Sequence, residues 1–227
     1  MTQATTEKGC KGAGMEGFMA RWYAKLTSKE MDRFKTLARR VARELPAGVR
    51  VLEVAPGPGY FAIELARLGN FRITGLDISH TFAEIAGRNA AGAGVKVNFQ
   101  QGNASQMPFS AQTFDFVICS AAFKNFADPV GALLEMYRVL APGGRALIID
   151  LRRDASNEDI SNTVNHWNVG AVNRVITKLT FRFMLLKRAY TKADFERMIR
   201  QTKFAQYEIT APDTLSYEVS LQRRAGD

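Results

Sequence analysis

The chain has 227 residues, 46% of them hydrophobic, enough to bury the core of one α/β domain. No apolar run approaches the ~20 residues that span a bilayer, and two cysteines and two histidines suggest neither a disulfide framework nor a metal-ligand cluster. A net charge of +9 suits an anionic partner or a solvated basic surface equally well, and the basic residues are dispersed rather than gathered in one block.

Residues 1–14 lack the apolar stretch of a signal peptide and read as a flexible tail. Gly17–Leu26 reads as a short aromatic helix. Ser28 is placed to cap a second helix, whose Met31, Phe34, Leu37, Ala38, Val41 and Leu45 share one face opposite Lys35, Arg39, Arg40 and Arg43. Pro46-Ala47-Gly48 ends it.

Next comes Val51-Leu52-Glu53-Val54-Ala55-Pro56-Gly57-Pro58-Gly59. An apolar strand carries an acid near its end, turns through two glycines and opens into the helix-like Phe61–Leu68. A loop without Cβ atoms lets backbone approach a ligand, and the helix start behind it offers N–H groups. Phe71–Asp77 is a second strand ending in a carboxylate, roughly 20 residues beyond the glycine turn, where it can accept from a ribose diol. An adenosine-containing cofactor follows. Gly57-Pro58-Gly59-Tyr60-Phe61-Ala62 also fits the dinucleotide pattern, so an NAD(P)-dependent oxidoreductase stays open as an alternative. Glu53 weighs against it, because a carboxylate there repels a pyrophosphate and suits a ligand carrying an ammonium and a sulfonium.

Thr113–Cys119 reads as a fourth strand, and Val139–Gly144 follows a helix and precedes a fifth. The alternation from Val49 to Asp150 calls for a parallel sheet covered on both faces. Glu53, Asp77, Asn103, Ser120 and Asp150 all fall at predicted strand ends and should line one edge, where such sheets bind ligands. From Ile160 to Leu186 the apolar residues recur at helical spacing, in a segment too long for a simple connection. The chain closes on Phe204–Ala211 and Leu215–Arg223, a predicted hairpin with Pro212-Asp213 at its turn.

In this order the pieces resemble the class I S-adenosylmethionine-dependent methyltransferases, most closely the group that modifies small molecules. The likeness is strong over Val49–Arg152 and moderate over the hairpin. Glu53, Gly57 and Gly59 match E/D-x-G-x-G-x-G, with Ala55 in place of its first glycine. Asp77 matches the ribose-binding acid, Ile78 the apolar residue on the adenine, and Gln101-Gly102-Asn103-Ala104 the site that usually reads G-D-A. Phe114-Asp115 and Leu140-Ala141-Pro142-Gly143-Gly144 match two further signatures. Asn103 keeps one acceptor oxygen but lacks the usual charge, which predicts weaker cofactor binding.

The resemblance implies a Rossmann-like, doubly wound, mostly parallel seven-stranded sheet with a C-terminal antiparallel hairpin. It also implies one domain: N-terminal helices over 15–46, a cofactor core over 47–152, a helical lid over 153–190, and a last helix with the hairpin over 191–227. The implied cofactor is S-adenosyl-L-methionine, giving S-adenosyl-L-homocysteine, and its expected contacts are Tyr23, Glu53, Ala55, Gly57, Gly59, Asp77, Ile78, Asn103, Ala104 and Ser120. Core packing is the default for Tyr23, an aromatic on an amphipathic helix.

In-line displacement at a sulfonium methyl needs mainly alignment, and a base only if the acceptor must lose a proton. His166, Lys124 and Asn125 are the candidates to face the acceptor; packing or solvent exposure is the plain alternative for each. The expected acceptor is a small apolar or aromatic molecule. Quinone-type lipids are suggested by analogy only. The N/D-P-P-Y/F loop of base-modifying relatives is replaced by Ser120-Ala121-Ala122-Phe123, so nucleic acid is not expected. A monomer or homodimer in the cytoplasm, with at most transient contact with a membrane surface, completes the expectation. A non-catalytic cofactor-binding protein is the reading from another class.

Overall fold

The computed structural model describes residues 9–11, 14–165, 178–180, 182 and 185–226. Its elements are α1 (Gly17–Thr27), α2 (Met31–Glu44), β1 (Arg50–Val54), α3 (Tyr60–Ala66), β2 (Arg72–Asp77), α4 (His80–Gly92), β3 (Asn98–Gln101), β4 (Phe114–Ser120), α5 (Pro129–Val139), β5 (Leu140–Leu151), α6 (Asn157–Asn165), α7 (Lys192–Ile199), β6 (Gln206–Thr210) and β7 (Ser216–Gln222). The seven strands lie in the order β3-β2-β1-β4-β5-β7-β6. β1 to β5 pair in parallel, and β7 is antiparallel to both β5 and β6. The expected sheet and hairpin are therefore present.

Strand alternation sends side chains to both faces of the sheet. Val51, Ile73, Phe116, Ile118 and Leu147 pack with Ala38, Val41, Phe61 and Leu65 of α2 and α3. Leu52, Leu76, Val117, Cys119 and Ile148 pack on the other face with Leu133 and Met136 of α5 and Phe195 and Ile199 of α7. Covered on both sides, the sheet leaves only its strand ends for chemistry.

Local chemistry departs from the sequence reading in three places. Ser28 does not cap the second helix: it closes α1, opens a short 3-10 turn, Ser28–Glu30, and its hydroxyl donates to the Lys25 carbonyl at 2.9 Å. The Ala141–Gly144 run belongs to β5 as a bulged stretch, since Leu140 pairs with Phe114 and Arg145 with Phe116. Residues 9–11, assigned to a tail, run beside the chain after β4: Lys11 N donates to Asn125 O at 2.7 Å, and Ala127 N to Gly9 O at 3.3 Å. Of the expected lid, α6 is described and buries Ile160 and Val164 against Leu186 and Leu215. Residues 166–177 lie outside the described residues.

Ala55 holds φ at +57°, a region glycine adopts freely. A Cβ there costs ~1–2 kcal/mol, while glycine loses ~0.5–1 kcal/mol more backbone freedom on folding. Ala55→Gly should therefore stabilise the fold by up to about 1 kcal/mol, seen as a higher urea midpoint with an unchanged slope. A lower midpoint would show that the strain lies elsewhere.

Candidate active site

β1 pairs with β2 on one side and β4 on the other, so the strand order reverses beside it. Crevices at such reversals hold ligands beyond the carboxyl ends of the strands. Glu53, Asp77, Ser120 and Asp150 all stand at these ends, with Asn103 two residues past β3.

The loop between β1 and α3 is built by its glycines. Gly57 and Gly59 both have positive φ, at +55° and +79°. A Cβ on Gly59 would lie 2.7 Å from Phe99 Cζ and 2.9 Å from Ala86 Cβ, so only glycine fits. A Cβ on Gly57 would meet nothing within 4 Å, which leaves that side of the loop open to a ligand. Asn89 Nδ2 donates to Pro58 O at 2.9 Å and holds the turn against α4.

Two buried acids flank this loop. Asp77 accepts from Gly57 N and from Ser79 N, each at 2.9 Å, and tethers the loop to the end of β2. Burial pushes its carboxyl up to about 6, against the pull of the Ser79 and Gly57 N–H groups. Glu53 is 4% exposed and accepts from Ala62 N at 3.2 Å. Burial pushes it up to about 8, offset by the Ala62 N–H and reinforced by the charge of Asp77. A carboxyl held this far above its ordinary range, with no ion pair to a cation among the described residues, favours a ligand that brings positive charge.

The remaining expected cofactor residues gather around the same edge. Ile78 is half-buried, and Gly9 sits so close that a Cβ on it would be 2.7 Å from Ile78 Cδ1 and 3.1 Å from Asn103 Cγ. Asn103 Oδ1 accepts from Ser105 N at 3.0 Å, an internal use of the oxygen expected to meet adenine. Ala104 is buried in the core, and Ser120 is half-buried at the end of β4. Tyr23 packs edge-on against Phe82, ring centres 5.9 Å apart, and α1 is fixed by Tyr60 Oη donating to Ala24 O at 2.9 Å.

The acceptor candidates separate. Lys124 is 5% exposed; its Nζ donates to Asp150 Oδ1 at 2.8 Å and Ala121 O at 2.6 Å, while its backbone N donates to Asp150 Oδ2 at 2.7 Å. Its ammonium is thus engaged by a buried partner. Asn125 is half-buried with its carbonyl taken by Lys11. His166 lies outside the described residues. Cys119 is fully buried in β4, and burial pushes its thiol well up, as expected of an inert strand cysteine.

Sequence reasoning missed three contributors. Asp150, read only as a strand end, is the partner of Lys124. The Gly9–Lys11 strap covers the Ile78–Asn103 rim, and Lys11 Nζ donates to Tyr190 Oη at 2.6 Å. Glu16 accepts from His80 N and Thr81 N at the start of α4, at 3.0 and 3.1 Å. None carries a local signal, because each partner is distant in the chain.

Fold and edge together define a Rossmann-like domain with an open glycine loop and two buried acids at the ends of β1 and β2. Residues 52–148 match the family described as a methyltransferase domain. The chain is 40% identical over 108 residues to a demethylmenaquinone methyltransferase of Deinococcus radiodurans, covering 47% of this chain and 45% of the relative. It is 33% identical over 153 residues to a ubiquinone/menaquinone biosynthesis C-methyltransferase of Geotalea daltonii, covering 64% and 65%. The matched segment spans about half the length of the first of these relatives. Among solved structures, an S-adenosylmethionine-dependent methyltransferase from Aquifex aeolicus superposes with a TM-score of 0.63 at 16% identity, over 85% of this chain and 97% of the other. A Methanococcus maripaludis structure assigned to the same activity gives 0.75 at 17% identity, over 94% and 96%. Over residues 52–148 the chain is similar to S-adenosylmethionine-dependent methyltransferases, and the solved structures share its fold.

The site fits that cofactor. Asp77 stands where a ribose diol would donate, the open side of Gly57 leaves room for close approach, and the high Glu53 carboxyl suits an ammonium.

Proposed function

We propose that this chain methylates a small apolar acceptor of the quinone-ring type, with S-adenosylmethionine as donor. The observation that carries the reading is the pair of buried carboxyls, Glu53 and Asp77, on either side of the open glycine loop. When bound, the donor supplies an activated methyl on sulfonium. The chain's part is positional. Asp77 anchors the ribose end, Glu53 the amino end, and the loop lets backbone approach between them. Orientation of this kind is worth ~7–11 kcal/mol in well-aligned systems. The names of the matched relatives support a quinone acceptor, and His166 and Asn125 remain the residues to test for a proton-handling role. Ser120, Ile78, Ala104, Asn103, Ala55 and Tyr23 complete the proposed cofactor rim.

Calorimetric titration with S-adenosylhomocysteine and, separately, NADH tests the cofactor. Micromolar binding of the former is expected, weakened about 10–100-fold in Asp77→Ala through loss of a charged hydrogen-bond acceptor. Tighter binding of NADH would move the reading to hydride transfer. Methyl transfer to a demethylated naphthoquinol, followed by mass spectrometry, tests the acceptor; no mass gain with confirmed cofactor binding would exclude that class.

A further inference from the structure

α1 is amphipathic in an unusual sense. Its inner face, Ala20, Tyr23 and Ala24, packs on Phe82 and Ile85 of α4. Its outer face is apolar too: Phe18, Met19, Trp22 and Leu26 are 76%, 53%, 51% and 46% exposed, with Met15 just before the helix at 39%. At 3.6 residues per turn these side chains share a stripe about 100° wide. Five of the nine large apolar side chains exposed among the described residues lie on this stripe, while Leu68, Leu134, Leu179 and Tyr207 are scattered. Exposed Arg21 and Lys25 border it and Lys29 follows in the next turn; among the described residues none of the three forms an ion pair. Gly17–Thr27 contains no acid.

A rigid helix with large apolar side chains outward, basic residues alongside and no acid of its own matches the interface of an anionic bilayer. A protein partner would match the apolar stripe alone; the unpaired basic border is the charge complement of lipid phosphate. We propose that the outer face of α1 docks on anionic phospholipid, with Phe18, Trp22 and Leu26 seated between headgroups and Arg21, Lys25 and Lys29 beside phosphates. Glu16 and the Tyr60–Ala24 bond fix α1 beside the start of α4 and the glycine loop, so docking holds the rim of the strand-end site against the membrane. This surface does not depend on which acceptor the site takes.

Flotation of the full chain with vesicles is the test. Binding is expected to phosphatidylcholine vesicles containing about one-third phosphatidylglycerol, weaker to phosphatidylcholine alone and weaker in high salt. Phe18→Ser/Trp22→Ser should lower binding at least tenfold, because both large apolar rings are lost from the docking face. Both sites are exposed, so the melting temperature and S-adenosylhomocysteine affinity should hold. Should that pair melt early, Arg21→Glu/Lys25→Glu serves instead and should abolish the preference for anionic vesicles. No flotation with either vesicle, or flotation untouched by these changes, overturns the proposal. So does a dimer in sedimentation that Phe18→Ser/Trp22→Ser dissociates, which would give the face to a second copy.

Discussion

Lys124→Ala should cost ~3–5 kcal/mol of stability, the range for removing one partner of a buried ion pair. The side chains of Lys124 and Asp150 are 7% and 1% exposed, and Asp150 also accepts from the backbone N of Lys124 and of Leu151. Without the ammonium, the carboxylate stays buried against two N–H groups and no cation. Asp150 would then have to take up a proton or draw water inward. The double change Lys124→Met/Asp150→Asn should recover most of the loss, because buried pairs replaced together are often near neutral. Urea denaturation of the three variants is the measurement. If Lys124→Ala keeps the wild-type midpoint but loses methyl transfer, its role is with the acceptor rather than with the fold.

Glu53 carries the second large effect. Its carboxyl is near 8 in the folded chain against an ordinary 4.5, so the native state binds more protons than the unfolded one between these values. Stability of the cofactor-free protein is then full below about pH 4.5 as far as Glu53 is concerned, falls as pH rises, and is flat above about 8, a loss on the order of 5 kcal/mol. Asp77, at about 6 against 3.8, adds a smaller fall between those values. Glu53→Gln keeps an acceptor for Ala62 N and removes the titration, so its stability should change less from pH 5 to 8 and exceed wild type at pH 8. Binding a ligand with an ammonium runs the other way. It favours ionised Glu53, so affinity for S-adenosylhomocysteine should rise by up to about tenfold per pH unit towards 8, and Glu53→Gln should flatten the rise. A wild-type affinity independent of pH over this range would remove Glu53 from the cofactor's amino end.

The glycine loop, Asp77 and the shared strand-end edge were legible in the sequence because each is a local pattern: strand alternation, a turn needing glycine, an acid at a fixed interval. The hairpin was legible for the same reason. Lys124 was not. A lysine just after a strand reads as solvated, and the carboxylate that buries it lies 26 residues on, at the end of β5. The strap was hidden likewise, since Gly9, Cys10 and Lys11 carry no strand pattern and owe their place to carbonyls and N–H groups beyond β4. Ser28 had the right residue type for a cap, yet the chain made a 3-10 turn first and left its hydroxyl to Lys25. Ala55 looked like a slightly larger glycine; its cost is in φ rather than in volume.

The placing of β7 between β5 and β6 has a consequence for synthesis. β5 is complete by Leu151, but its free side is covered only when Ser216–Gln222 arrives, pairing along its length from Leu151 to Arg145. Arg223 then fastens the far end, its Nη1 donating to Leu140 O at 2.7 Å and Tyr137 O at 3.2 Å where α5 gives way to β5. A nascent chain that has emerged through α7 therefore carries a central strand of the sheet as a bare edge, open to pairing with a neighbour on the same message. Slow decoding before β7 should favour aggregates, and a chain cut before Leu215 should be insoluble even though every residue of the strand-end site is present.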